Sequence, residues 1–398
     1  MDRVLNPYAP GAGTAPPELA GRDRQLDAVR NALKRVAIGN PAKSLLLVGL
    51  RGVGKTVLLD RMKLDAERDD FQTVRIEAPE KRSLPALLTP ALRSCLIRLS
   101  RNERAKAAAT RALKALTGFA TALKVTYSDV SIGLDFEAKE PGLADNGDLE
   151  HDLQELFDTV GQATQSAGTV LVLFVDELQY VAEDQLAALI TALHRVAQQK
   201  LPVVLVGAGL PQLRGQMGKA KSYAERLFDF PEIGPLDAED AAAAIRKPAE
   251  NLGVEYTQAA VDAIVAETRG YPYFLQEWGK HSWDVADSSP IDEADVRIAT
   301  ESAVAALDES FFRVRFDRLT PGEQRYLHAM ARLGPGPHRS GDVASEMKRK
   351  VQSLGPTRSA LIRKGMVFSP SHGDTAFTVP LFDEFMLRVM ANPDEESA

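Results

Sequence analysis

The stretch LLLVGLRGVGKTVLLD, Leu45 to Asp60, decides how the rest of the chain is read. Its apolar start has the composition of a buried strand, and KTVLLDRMKLDAER from Lys55 onward reads as a helix. Between them Gly49, Gly54, Lys55 and Thr56 satisfy the pattern G-x-x-x-x-G-K-[ST] at a strand-to-helix junction. Glycines let successive backbone amides turn inward around phosphate oxygens, and the helix N-terminus adds a favourable dipole. The expected cradle runs through Gly49, Leu50, Arg51, Gly52, Val53, Gly54, Lys55, Thr56 and Val57. Lys55 offers a point charge at the β- and γ-phosphates, and the Thr56 hydroxyl suits Mg2+. At about 7% glycine usage, a chance match in a chain this long has odds on the order of one in a hundred.

A second motif supplies the partner. In LVLFVDELQ, Leu171 to Gln179, five apolar residues end in two carboxylates. Asp176 at the end of a buried strand is placed to hold Mg2+, and Glu177 to polarise an attacking water. The bland alternative is that these acids cap the helix starting near Glu183, and the phosphate-binding pattern upstream weighs against it. An adjacent glutamate favours the NTPase group that inserts an extra strand between these two motifs. LPVVLVGAG, Leu201 to Gly209, is the expected extra strand.

Length and composition narrow the class. At 398 residues the chain is long enough for two or three domains, and 44% hydrophobic with 26% charged residues is a globular balance. The lone Cys95 cannot close an internal disulfide and fits a reducing compartment. No apolar run approaches the ~18 residues of a membrane span, and the Pro/Gly-rich start does not read as a signal peptide. The expectation is a soluble, cytoplasmic protein without a membrane partner. A net charge of −7 argues mildly against nucleic-acid affinity over the whole surface. From Arg313 to Lys364, however, twelve basic residues face four acidic ones. Such asymmetry points to a nucleic-acid face, with a solvated helical surface as the plain alternative.

The pattern predicts an α/β fold: a P-loop NTPase three-layer αβα parallel sheet, then a small helical lid, then a winged helix-turn-helix. Residues 1–20 form a Pro/Gly arm and 21–236 the P-loop domain, in which 84–149 reads as an insertion with a hairpin over 124–137. Residues 237–308 read as the Ala-rich lid, 309–392 as the winged helix and 393–398 as a disordered tail. Thr320, Pro321 and Glu323 make a capping box for the first helix of the winged unit. The helix from Pro356 to Lys364 is its candidate reading helix, with Arg358, Arg363 and Lys364 as DNA contacts and a wing at 369–375. Arg226 is placed to act as an arginine finger, or to pair on the surface with Glu225 or Asp229. Pro272, in RGYPYFLQEW, closes over the nucleotide with Arg269 near the phosphates, or packs in the lid core.

The order LAGRDRQL, GLRGVGKT, FVDELQ, AERLFDFPEIGPL, GYPYFLQ and a winged helix resembles AAA+-type ATPases of the replication-initiator (origin-recognition) and signal-transduction clade. The resemblance implies ATP or ADP as ligand with Mg2+, Gly49 to Thr56 on phosphate, and Asp176 with Glu177 on metal and water. It implies Lys55, Glu177 and Arg226 as the catalytic set and Pro272 as a nucleotide sensor. Val4 to Tyr8 and Gly21-Arg22 would border the adenine. One departure concerns Gly207-Ala208-Gly209, where such ATPases often carry a polar water-orienting residue; Gln212 is the nearest substitute. Slow turnover would follow, which suits a switch. The first reading is an ATP-dependent switch that binds double-stranded DNA through its winged helix. The alternative is a signalling ATPase whose winged helix binds a protein or packs on the core. A nonhydrolysing nucleotide scaffold is the third, and self-association is open in all of them.

Overall fold

The computed structural model describes residues 1–11, 13–79, 82–125 and 140–390. The hairpin expected over 124–137 lies almost wholly outside them, as does the tail at 393–398.

The central element is a five-stranded parallel sheet in the order β2-β3-β4-β1-β5. Its strands are β1 (Ser44–Val48), β2 (Gln72–Glu77), β3 (Leu171–Asp176), β4 (Val203–Gly209) and β5 (Phe228–Asp229). The extra strand expected between the two motifs is β4, seated between β1 and β3. Strand residues alternate between two apolar layers, as the period of two requires. Leu46, Leu173, Val175 and Leu205 face one way, and Leu45, Leu47, Phe174 and Val206 the other. The second layer is closed by α1 (Asp23–Ala37) and α2 (Lys55–Arg68). The first is closed by α3 (Leu84–Leu99), α4 (Lys106–Ala122), α5 (Leu149–Ala167), α6 (Glu183–Gln198) and α7 (Leu213–Ala220). The helices α3 and α4 of the 84–149 stretch bury Leu88, Leu92, Cys95 and Phe119 in that layer. They cover this face of the sheet. Burial pushes the Cys95 thiol up to about 11 and leaves it protonated at neutral pH.

A short α8 (Ala224–Leu227) leads into β5, after which the chain turns helical: α9 (Ala238–Glu250), α10 (Gln258–Thr268), α11 (Pro272–Val285) and α12 (Glu293–Ala306). A π-helical turn, Leu307–Phe312, and α13 (Arg313–Phe316) then join α14 (Pro321–Arg332), with the expected Thr320–Glu323 capping box in place. The remainder is β6 (His338–Arg339), α15 (Ser340–Glu346), α16 (Val351–Arg363), β7 (Val367–Phe368), β8 (Asp374–Phe377) and α17 (Phe382–Val389). Its strands form an antiparallel sheet, β6-β8-β7. The sequence shows no signal for the two-residue β6. α16 begins five residues before the expected Pro356, because the carbonyl that proline orphans belongs to exposed Gln352, where water can serve it.

One apolar core runs through the helical segment and the C-terminal module. Phe274 of α11 meets Phe312 in the π-helical turn at 6.4 Å, and Phe312 stacks on Phe385 of α17 at 5.3 Å between ring centroids. The N-terminal arm joins this core: Tyr8 packs its ring over Gly279 and donates its hydroxyl to the Ile245 carbonyl. The block contacts the phosphate-binding loop twice. Tyr273 N donates to Gly52 O at 3.2 Å, and Arg51 N donates to Thr378 O at 3.0 Å.

Candidate active site

The loop between β1 and α2 has the curl its glycines allow. Gly52 and Gly54 adopt φ of 79° and 86°, and a Cβ on Gly49 would sit 2.1 Å from the Ile233 carbonyl oxygen. Lys55 is buried, and its ammonium donates only to the carbonyls of Gly49 and Leu50, at 2.9 and 2.7 Å. Burial pushes it down to about 8; Glu177 and Asp176 oppose the shift, and Arg51 adds to it. A buried cation served by neutral carbonyls is poised for an anion.

Thr56 Oγ1 donates to Asp176 Oδ2 at 2.8 Å, so the two expected metal ligands adjoin across the cleft. Asp176 is 2% exposed and also accepts from Arg75 of β2 at 3.1 Å, a partner the sequence did not flag. Its other oxygen accepts the Glu177 amide at 2.9 Å. Glu177 occupies the left-handed region, φ 54°, which turns its side chain into the cleft beside Lys55 and Thr56. Such backbone placements in non-glycine residues cluster at functional sites.

Lys55, Thr56 and Glu177 line a cavity of about 480 Å³, ample for a nucleotide. The loop and Glu177 form one end of it. The arm from Ala9 to Ala20, with Ala244, Pro272 and Gln276 of the helical segment, forms another part of the wall. Arg22 fastens the loop to the segment after β5 by donating to Val53 O at 3.2 Å and Gly234 O at 2.7 Å. An anion-ready lysine, paired oxygen ligands and adequate volume fit a nucleoside polyphosphate with Mg2+.

Several expected positions differ. Val4 is 90% exposed and the 4–8 segment straps onto α11, so the cavity border begins at Ala9. Arg269, expected near the phosphates, is a correction: it leaves the cleft to pair with Glu384 of α17. Arg315 of α13, stacked over Phe311 at 4.0 Å, lines the cavity together with Arg22 and Arg51. Burial, then the nearby Arg51, push Arg315 down to about 10. Gln212 is also a correction, for it sits at the start of α7 without a side-chain cap bond and does not line the cavity. The amide at the tip of β4 belongs to Gln179, whose Oε1 accepts Leu210 N at 3.0 Å while its Nε2 contacts the Glu177 carboxylate.

Arg226 is exposed on α8 and does not line this chain's cavity; Asp229, one expected partner, pairs with Lys43 at 3.1 Å. In the C-terminal module, Arg358 donates to Thr375 Oγ1, Ser369 Oγ and Asp374 O at 2.7, 2.9 and 2.7 Å. Lys364 pairs with Glu323 at 2.7 Å. Both are engaged within the molecule, whereas Arg363 is exposed. Also exposed are Lys348, Arg349 and Lys350, the three consecutive cations just before α16.

Comparison with known proteins bears on the fold that carries this site. Residues 18–206 match the AAA ATPase domain family, and residues 309–386 match a domain of unknown function, DUF8462. The Walker-type ATPase PABY2304 of Pyrococcus abyssi superposes with a TM-score of 0.59 at 15% identity, covering 96% of this chain and 99% of that one. The DNA-bound ORC1 protein of Aeropyrum pernix gives a TM-score of 0.47 at 15% identity, over 94% of this chain and 93% of that one. The human cell division control protein 6 homolog is 34% identical over 79 residues, 19% of this chain. That match spans only 14% of the human protein's length. No described helix is long and apolar enough to cross a membrane. On sheet order, phosphate loop and family match together, residues 18–206 form a P-loop NTPase unit similar to the AAA ATPase domain.

Proposed function

We propose that this chain binds ATP with Mg2+, hydrolyses it slowly, and uses the nucleotide state to control its C-terminal module. The observation that carries this reading is the buried Lys55 beside the Thr56–Asp176 pair, with Glu177 in the same cavity. Bound Mg2+, held by Thr56 and Asp176, would neutralise phosphate charge. Glu177 would accept the proton of a water whose oxygen bonds to the γ-phosphorus as the bond to the ADP oxygen breaks. Lys55 and Arg315 would stabilise charge on the transferring group. Arg226 is exposed and does not line this cavity, and would act, as a finger, on a neighbouring copy.

The Lys55 ammonium gives a pH test. Free protein loses that charge as pH rises through about 8, and a bound polyphosphate restores it. ATP affinity should therefore fall above pH 8, by up to about tenfold per pH unit, with a proton taken up on binding. Titration of a fluorescent ATP analogue from pH 7 to 9.5 measures the slope, and Lys55→Ala should abolish it.

Base choice is assigned to Gln276. Its side chain is 8% exposed, lines the cavity one helical turn before Gly279 and Tyr8, and keeps an unpartnered buried oxygen. A carboxamide pairs with the donor–acceptor edge of adenine but not with the two acceptors of guanine. Gln276→Leu should reduce the preference for ATP over GTP by about tenfold, consistent with one or two net hydrogen bonds. Equal discrimination in both proteins would remove the assignment.

For the C-terminal module, read as a winged helix, duplex DNA is the proposed ligand, through Lys348, Arg349, Lys350 and Arg363. Replacing the three consecutive cations by glutamine should lower the slope of log affinity against log salt by about 2–3 units. One observation favours the second reading, in which the module is a packing partner of the ATPase: Thr378 O already accepts from Arg51 N. A wild-type chain that binds no duplex at low salt, with or without ATP, would leave that second reading standing.

A further inference from the structure

A second cavity, of about 370 Å³, lies beside the first, between the tip of the phosphate loop and the C-terminal module. Arg51, Tyr180, Arg315, Arg318, Lys364 and Met366 are among its lining. Arg51, Val314 and Arg315 line both cavities, so they form the wall the two share. Four cations line it, and one of them, Lys364, pairs with Glu323 at 2.7 Å. Arg51 donates to the Tyr180 hydroxyl at 2.7 Å, and Arg315 lies over a phenyl ring. Among the described residues, no carboxylate lies within ion-pair distance of Arg51, Arg315 or Arg318. Like charges gathered in a partly dry cleft repel one another unless an anion enters. Guanidinium forks match phosphate oxygens in shape as well as charge. This cluster also accounts for part of the basic excess between Arg313 and Lys364: three of those twelve residues, Arg315, Arg318 and Lys364, line this cavity.

We infer that this second cavity is a site for a free phosphate oxyanion, placed to receive the phosphate cut from the nucleotide through the wall of Arg51, Val314 and Arg315. The source of the phosphate rests on the ATPase reading above; the anion site itself does not. Orthophosphate is small enough for the volume, and its ionised oxygens can accept from the cations that line it, Arg51, Arg315, Arg318 and Lys364. An anion there would join the phosphate loop to the C-terminal module by charge, in addition to the Arg51–Thr378 backbone bond.

The test titrates the full chain with orthophosphate, both free and saturated with ADP and Mg2+, and follows binding by calorimetry. The expected result is one site per chain in the ADP-saturated protein, kept in the free protein beside any binding at the phosphate loop. Arg318→Gln should weaken it at least tenfold with ADP affinity and melting temperature unchanged, since Arg318 lines only the second cavity. Lys55→Ala should remove ADP binding and leave orthophosphate binding in the free protein. Orthophosphate binding that Lys55→Ala removes and Arg318→Gln spares would put the anion on the phosphate loop and overturn the proposal. So would no binding at millimolar orthophosphate in either state. Failure of ADP to bind, with orthophosphate still bound and sensitive to Arg318→Gln, would sink the ATPase reading alone. A phosphate sensor in single-turnover hydrolysis separates the two sources. Release that changes several-fold in Arg318→Gln, with cleavage unchanged, identifies cleaved phosphate as the occupant. Unchanged release alongside lost equilibrium binding supports the site with bulk phosphate as its source.

Discussion

Glu177→Gln should slow ATP cleavage by about 10²–10⁴-fold, the range for removing a general base. ATP affinity should stay within about twofold, because the amide keeps the shape and loses only the proton-accepting charge. The geometry behind this is a carboxylate presented to the cavity by a left-handed backbone and steadied by Gln179, which is itself tied to Leu210 at the tip of β4. The polar group missing from Gly207-Ala208-Gly209 is thus supplied from the residue two beyond the glutamate. Single-turnover cleavage of labelled ATP is the measurement. Equal rates in wild type and variant would show that Glu177 is not the base, and would favour a chain that only holds its nucleotide.

Arg315→Gln is expected to lower cleavage by about 10³-fold, the lower range for an arginine that meets the transferring phosphoryl group. ADP has no γ-phosphate, so its affinity should change little while the preference for ATP over ADP disappears. Arg315→Lys should recover only part of the rate, since an ammonium keeps the charge but not the planar fork. A parallel loss of ATP and ADP affinity, with a lowered melting temperature, would assign Arg315 to packing over Phe311 instead. The residue's position matters for coupling. It follows a π-helical turn whose Ser310 and Phe311 also line the first cavity, and it precedes α14 of the C-terminal module by six residues. Such turns often mark functional sites. A γ-phosphate that draws Arg315 inward would pull on the joint between the helical segment and that module.

The parts of the site that lie in one short stretch were readable from the sequence. The phosphate loop, the strand ending in Asp176 and Glu177, and β4 between β1 and β3 each follow from local pattern: apolar runs, glycine spacing, an acid at a strand end. The parts assembled across the chain were not. Arg75 reaches Asp176 from a neighbouring strand 101 residues away, and Arg315 reaches the cavity from the far side of the helical segment. Neither carries a local signature, since an arginine on a strand or a short helix is ordinary surface chemistry. Arg269 misled for the same reason. Its sequence neighbours suggested the cleft, but the pull of Glu384 on α17 directs it outward. In the C-terminal module the count of cations was right but their directions could not be read. Arg358 ties down the 369–375 loop by bonding Thr375, Ser369 and Asp374, and Lys364 closes the cap of α14 through Glu323. The stretch from 84 to 149 looked like an addition because its helices interrupt the expected strand–helix alternation. Its buried Leu88, Leu92 and Phe119 make it part of the sheet's cover.

A crystal structure of the chain with a nonhydrolysable ATP analogue and Mg2+ tests the central claim most directly. The expected result is triphosphate along the amides from Gly49 to Thr56 and within reach of Lys55. Mg2+ should lie between Thr56 and Asp176, Glu177 should face the γ-phosphate, and the base should lie against Gln276. A cavity left empty at saturating analogue, or Asp176 still turned to Arg75 with no metal beside Thr56, would contradict it.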